Sequence, residues 1–164
     1  MEDHSIENLP EVLKSVRTRP LMVLKLVIAP PQIVGKSPRV SRLVGVALSG
    51  TFEGERLSGE VLPGGSDWQV VGDNGSAQLN CRLILKTDDG ELISIQYQGV
   101  RSNPPAVVAR IAKGESVSPD EYYLRITPIF ETASEKYGWL NNVIAVGIGD
   151  RREHGPTYSI HEVL

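Results

Sequence analysis

Asp67 and Trp68 follow directly on the tight bend Leu62-Pro63-Gly64-Gly65, and Arg82 follows on a strand of alternating polarity. An acid able to move a proton, an indole able to stack on a ring and a guanidinium able to bind an anion thus fall within a short stretch of chain. A second strand, Tyr122–Glu131, has Tyr123, Arg125, Thr127 and Glu131 on one face and Tyr122, Leu124, Ile126 and Phe130 on the other. If the aliphatic faces meet an outer packing layer, then Gln78, Asn80 and Arg82 look inward, as do Arg125 and Glu131. A buried arginine must be paired, and Asp67, Asp89 and Glu131 are the natural partners. On this reading Asp67 or Glu131 transfers the proton while Arg82 or Arg125 holds the anion. The competing reading is a self-satisfied ion network or a solvated outer face. A second cluster runs from Glu131-Thr132 to Tyr137-Gly138-Trp139-Leu140-Asn141-Asn142, an acid, a phenol, an indole and two amides within a dozen residues. Trp68, Tyr97, Tyr137, Trp139 and Asn141 complete the candidate ligand-binding set, each aromatic being equally a candidate for the core.

The familiar catalytic and cofactor patterns do not occur. His4, His154 and His161 are scattered without the spacing a metal site needs, and neither Gly45–Gly50 nor Gly147-Ile148-Gly149 has the spacing of a phosphate or dinucleotide loop. There is no Gly-x-Ser-x-Gly elbow. The expectation is chemistry without metal or cofactor. The single cysteine, Cys81, lies among Leu79, Leu83 and Leu85 and reads as a buried thiol.

These residues need a scaffold of strands. The chain has 164 residues, 16 Gly and 11 Pro, 40% hydrophobic and 23% charged residues, which fits one globular domain of many short strands and turns. A net charge of −3 lacks the basic face that nucleic acid requires. No apolar run approaches a membrane span and the Met1-Glu2-Asp3-His4 start lacks a basic leader, so a cytoplasmic location is expected. Asn8–Lys14 predicts a short N-terminal helix docked through Leu9, Leu13 and Val16, making residues 1–19 an extension and 20–164 the domain. Strands are expected at Leu21–Ala29, Arg42–Gly50, Leu57–Leu62, Gln69–Val71, Ser76–Lys86, Leu92–Gly99, Tyr122–Glu131, Val143–Gly149 and Thr157–Val163. Residues 31–40 read as a loop, and Arg101–Pro119 as a long irregular segment of lid or binding-loop type with a helical turn over Val107–Ala112. Such a pattern, without a helix suited to a parallel crossover, predicts an all-β protein: an antiparallel β-barrel of about 8–10 strands, whose interior takes one small ligand.

The same residues resemble a family. Arg42, Thr51-Phe52-Glu53-Gly54, Gly64-Gly65-Ser66-Asp67-Trp68, Arg82, Thr87-Asp88-Asp89-Gly90, Tyr97-Gln98-Gly99 and Phe130-Glu131-Thr132 … Tyr137-Gly138-Trp139-Leu140-Asn141 follow, in order and with matched spacing, the pattern of the domain of unknown function 3237. Ser49-Gly50-Thr51 departs from the two glycines usual there. The resemblance covers residues 20–163 and implies a compact antiparallel barrel with a central cavity that self-associates, a homo-oligomer; it assigns no catalytic residue. Three functions remain open at this point. One is a cofactor-free isomerase, cyclase or lyase acting on a small oxygenated metabolite. The others are a carrier or sensor of small molecules, and a structural or interaction barrel filled by its own side chains.

Overall fold

A computed structural model describes residues 5–164; Met1–His4, with the expected tail histidine His4, lie outside it. Ten strands form one antiparallel sheet: β1 (Thr18–Ile28), β2 (Gln32–Lys36), β3 (Ser41–Glu53), β4 (Ser58–Val61), β5 (Ser66–Val71), β6 (Ala77–Thr87), β7 (Leu92–Ser102), β8 (Tyr123–Glu131), β9 (Ala145–Arg152) and β10 (Gly155–Val163). β3 closes it. Its C-terminal half pairs β1 on one edge and β4 on the other, while its N-terminal half pairs β2 and β5. β1 and β2 therefore share one stave, β4 and β5 another, and the ten strands make a closed barrel of eight staves. Residues 31–40, expected as a loop, contain β2, because Ile33 and Val34 extend the chain alongside β3.

Most of the barrel interior is apolar. On β6, Ala77, Leu79, Cys81, Leu83, Leu85 and Thr87 point in and Gln78, Asn80, Arg82, Ile84 and Lys86 point out. On β8 the outward face carries Tyr123, Arg125, Thr127 and Glu131. This corrects the expectation that the polar faces look inward. An eight-stave barrel leaves little room beyond its own side chains, so hydrocarbon fills most of it and most charges, which would lose hydration there, stay outside; the inward charges lie toward its two ends. Leu24, Phe52, Leu85, Ile93, Ile95 and Leu140 are essentially inaccessible. Consecutive Leu21 and Met22 are both buried because a bulge beside Pro20 shifts the register against β10.

One end is sealed. There Glu162, on the inward face of β10, accepts from Arg19 at 2.8 Å and from Arg56 at 2.5 Å, and Arg56 stacks over Trp139 at 4.0 Å. Burial would raise the Glu162 carboxyl, yet the two arginines hold it below its ordinary value. The N-terminal segment forms a 3-10 turn (Ile6–Asn8) and a one-turn helix α1 (Glu11–Lys14). The expected docking fails, since Leu9, Leu13 and Val16 are 40%, 60% and 76% exposed; a single turn offers too little apolar face to hold itself on the barrel. Between β7 and β8, helix α2 (Pro105–Ala112) buries Val107. Arg110 braces the connection by pairing with Glu115 and Glu121 and donating to the Ser116 carbonyl. Among the described residues no helix is long and apolar enough to cross a membrane.

Candidate functional site

The other end of the barrel is open, and a cavity of about 320 Å³ lies there among Asp67, Gln69, Cys81, Tyr97, Arg101 and Tyr158. That volume is at the lower end of small-molecule sites. The Gly64-Gly65 bend leads into β5, where strand alternation turns Asp67 and Gln69 inward and leaves Trp68 52% exposed. Asp67 lies level with Gly45 on β3 and with Cys81 on β6, and Cys81 lies level with Tyr97 on β7. Three neighbouring staves thus place a carboxylate, a thiol and a phenol in one layer. From β10 comes Tyr158, whose ring lies 5.6 Å from that of Tyr97. Its space is provided by Gly149 on β9, where a Cβ would stand 2.7 Å from the Tyr158 ring and 2.4 Å from Leu124.

The Asp67 carboxylate accepts the Asn80 N–H at 2.9 Å and the Gln69 amide at 2.8 Å. Its pKa is nevertheless raised, because burial outweighs those two hydrogen bonds and the more distant charge of Arg101. Burial also lifts the two phenols well above their ordinary value and pushes the Cys81 thiol up to about 12, the Asp67 charge adding to each effect. Tyr97 and Tyr158 are therefore neutral donors at physiological pH, and Cys81 is a thiol rather than a nucleophilic thiolate. Arg101 is mostly buried; burial first, and the like charge of Arg151 second, lower its pKa. Among the described residues it forms no ion pair within 4 Å, and its Nε has no hydrogen-bond partner. Gln69 Oε1, also buried, is unsatisfied too. A proton-accepting carboxylate, two phenols and an unpaired cation therefore face one small space.

Of the residues expected from sequence, the structure brings Asp67 and Tyr97 together in this cavity. Arg82 and Glu131 are exposed on the outside of the barrel. Trp68 and Arg125 line a separate outer groove with Arg42 and Tyr123, Arg125 lying 4.8 Å over the Tyr123 ring. The cluster around Tyr137, Trp139 and Asn141 sits at the sealed end. Asn141 exchanges hydrogen bonds with the Thr132 backbone at 2.8 and 2.9 Å, and the Tyr137 hydroxyl donates to Asp89 at 3.0 Å. Asp89 also pairs with Lys136 at 2.6 Å, which with its hydrogen bonds holds its carboxyl far below the usual range. These contacts fasten the β8–β9 connection to the β6–β7 hairpin. Arg101, Gln69 and Tyr158 were missed, although alternation marks them. Ile93, Ile95, Tyr97, Gly99 and Arg101 are one strand face, and ending the expected strand at Gly99 stopped that series two residues short of Arg101.

Comparison with known proteins places this barrel. A UPF0311 protein of Clostridium acetobutylicum is 34% identical over 141 residues, covering 85% of this chain and 89% of that protein. The crystal structure of a beta-barrel like protein from Acinetobacter baumannii AYE is 36% identical, with a TM-score of 0.80 over 96% of this chain and 99% of that one. An enzyme from Penicillium herquei shares the fold at 21% identity, with a TM-score of 0.69 over 91% of this chain and 95% of that one. The family model described as "Protein of unknown function (DUF3237)" matches residues 16–163, and the chain belongs to that family.

Proposed function

We propose that the protein is an acid–base enzyme that rearranges a small oxygenated metabolite in the barrel cavity, using its own side chains. The observation that carries this reading is the desolvated Asp67 carboxylate, with its raised pKa, facing the unpaired Arg101 across the cavity. A carboxylate that has lost most of its water is a stronger base than a solvated one and is preorganised to take a proton. In the step proposed, Asp67 removes a proton from an O–H or an acidic C–H of the substrate and becomes a carboxylic acid. The electron pair left behind settles on a substrate oxygen as phenolate or enolate, within the field of Arg101 and within reach of the Tyr97 or Tyr158 hydroxyl. Asp67 then returns the proton to a different atom, giving an isomer or a ring-closed product with no co-reactant consumed. The Penicillium herquei neighbour, called an enzyme, supports the fold as one that can carry catalysis.

Proton transfer is measurable before the natural substrate is known. Small hydroxyaryl ketones and keto acids incubated with the protein in D2O should gain deuterium alpha to the carbonyl, read by proton NMR. Asp67→Asn should slow that exchange by about 10²- to 10⁴-fold, the usual contribution of a general base. Exchange that proceeds at the wild-type rate in Asp67→Asn would remove the proton-transfer role and leave a carrier.

A further inference from the structure

We infer that the cavity takes a hydroxy acid: a small molecule whose carboxylate is seated by Arg101, with Arg151 beside it, and whose hydroxyl points inward to Gln69 and Asp67. This rests on the reading of Asp67 as the base and names the substrate class for it. The first argument is charge. The protein solves the problem of a buried charge at the sealed end with its own residues, giving the inward carboxylate of Glu162 two arginines. At the open end the mirror situation is left unsolved. Arg101 is inward and mostly buried, the like charge of Arg151 acts on it against the weaker opposite charge of Asp67, and among the described residues no carboxylate lies within ion-pair distance. Three arginines line the cavity against two carboxylates, in a chain of net charge −3. Arg152 is occupied by Asp150. Both oxygens of Asp67 are already engaged by Asn80 and Gln69. A guanidinium in that position is matched only when an anion enters, and the planar fork of arginine fits a carboxylate.

Hydrogen-bond capacity gives the second argument. Among the described residues, the two buried side-chain atoms left without partners on the cavity wall are of opposite kind, the Arg101 Nε donor and the Gln69 Oε1 acceptor. A ligand that satisfies both must offer an acceptor to the first and a donor to the second, which a carboxylate and a hydroxyl do.

Depth gives the third. Asp67, Cys81 and Tyr97 occupy one layer, and Arg101 lies level with Ala77, four residues nearer the mouth along both β6 and β7. Four residues of strand are about 13 Å between backbones, which the long arginine side chain shortens. Gln69 is two residues from Asp67 on the same face of β5 and lies between the two layers. The anion therefore remains near the mouth, and the group that loses its proton reaches the bottom.

The test is calorimetric titration of the protein at pH 7 with 3-hydroxybenzoate and with 6-hydroxy-2-naphthoate, each against its primary amide. The amides keep size, ring and hydroxyl and lose only the charge. Each acid should bind about ten- to a hundredfold tighter than its amide, the range for a charge-assisted hydrogen bond in a desolvated site. Arg101→Gln should bring the acids down to the level of the amides. Equal binding of acid and amide to the wild-type protein would overturn the inference, as would failure of all four probes to bind; neither needs a variant to fold. If acid and amide bind equally while Asp67→Asn still loses deuterium exchange, the anion subsite is wrong and the proton-transfer reading stands.

Discussion

Asp67 is a largely desolvated carboxylate, and its desolvation costs stability that its partners only partly return. Its pKa is raised, so between its ordinary value and the raised one the folded chain binds a proton that the unfolded chain has released. Stability attributable to this group therefore falls as pH climbs through that window and is not regained at higher pH. Below the window Asp67 is neutral in both states and carries no penalty. Asp67→Asn abolishes the titration. The new amide can still accept the Asn80 N–H, and its NH₂ can donate to Gln69 Oε1, the atom now without a partner, once the Gln69 amide, which presents Nε2 to the carboxylate, turns over. The variant should be more stable than the wild type at pH 7, with Tm higher by about 2–4 °C, the shift that about 1 kcal/mol produces at this chain length. The difference should shrink as pH is lowered toward 4. Thermal unfolding of the two proteins between pH 4 and pH 8 checks this. A difference independent of pH would mean that Asp67 is not the titrating group. Loss of exchange activity together with a gain in stability is the pattern expected when a strained residue is kept for chemistry.

The bend before β5 shows how an element delivers such a residue. Gly64 has φ +100°, open to glycine at little cost, and Gly65 passes so close to β6 that a Cβ would lie 2.6 Å from the Arg82 carbonyl and 2.6 Å from Leu83 Cδ2. The two glycines are needed for different reasons, and together they carry the chain from β4 into β5 on a single stave. Gly65→Ala must push β5 away from β6 two residues before Asp67, so it should lower stability by about 1–3 kcal/mol and slow deuterium exchange as well. Gly45→Ala, level with Asp67 on β3 but with open space around the new methyl, should stay within about 0.5 kcal/mol. Urea unfolding separates them, and equal losses would show that the close approach at Gly65 is unimportant. That bend and the position of Asp67 after it were legible from sequence because turn residues and strand alternation are local signals. The inward face was not. Alternation on Ser76–Lys86 says that two faces differ, while which one is enclosed depends on barrel closure, a non-local fact. Choosing the polar face as the interior led to Arg82, Arg125 and Glu131 and away from Arg101. The sealed end was likewise invisible, since Glu162 meets Arg19 and Arg56 across 143 and 106 residues of chain.

In the whole molecule the eight staves are unequal. β6 and β7 are paired from Ala77–Arg101 to Lys86–Leu92, whereas β8 and β9 pair only at Arg125–Ile148 and Ile126–Gly147. Pro128, level with Tyr97 on β7, lies in the part of β8 where the pairing with β9 has already stopped, so a residue without an N–H removes nothing from the β8–β9 ladder. Toward the cavity the gap is bridged by a side chain: the buried Tyr122 hydroxyl accepts the Arg151 N–H at 2.7 Å and donates to Asp150 at 3.2 Å. One phenol thereby replaces the strand pairing that would otherwise close the barrel beside Arg151, at the cavity mouth. Tyr122→Phe keeps the ring and removes this bridge, at a cost of about 1 kcal/mol. If the seam opens separately from the rest of the barrel, hydrogen exchange of the Arg151 amide and of the neighbouring β9 amides should accelerate about fivefold. Amides of Leu83 and Ile95, deep in the β6–β7 ladder, should keep their wild-type protection. An equal acceleration at all of these amides would mean that the barrel opens as one cooperative unit. A local response instead would make the β8–β9 seam the weak stave, beside the mouth through which a ligand must pass to reach Asp67.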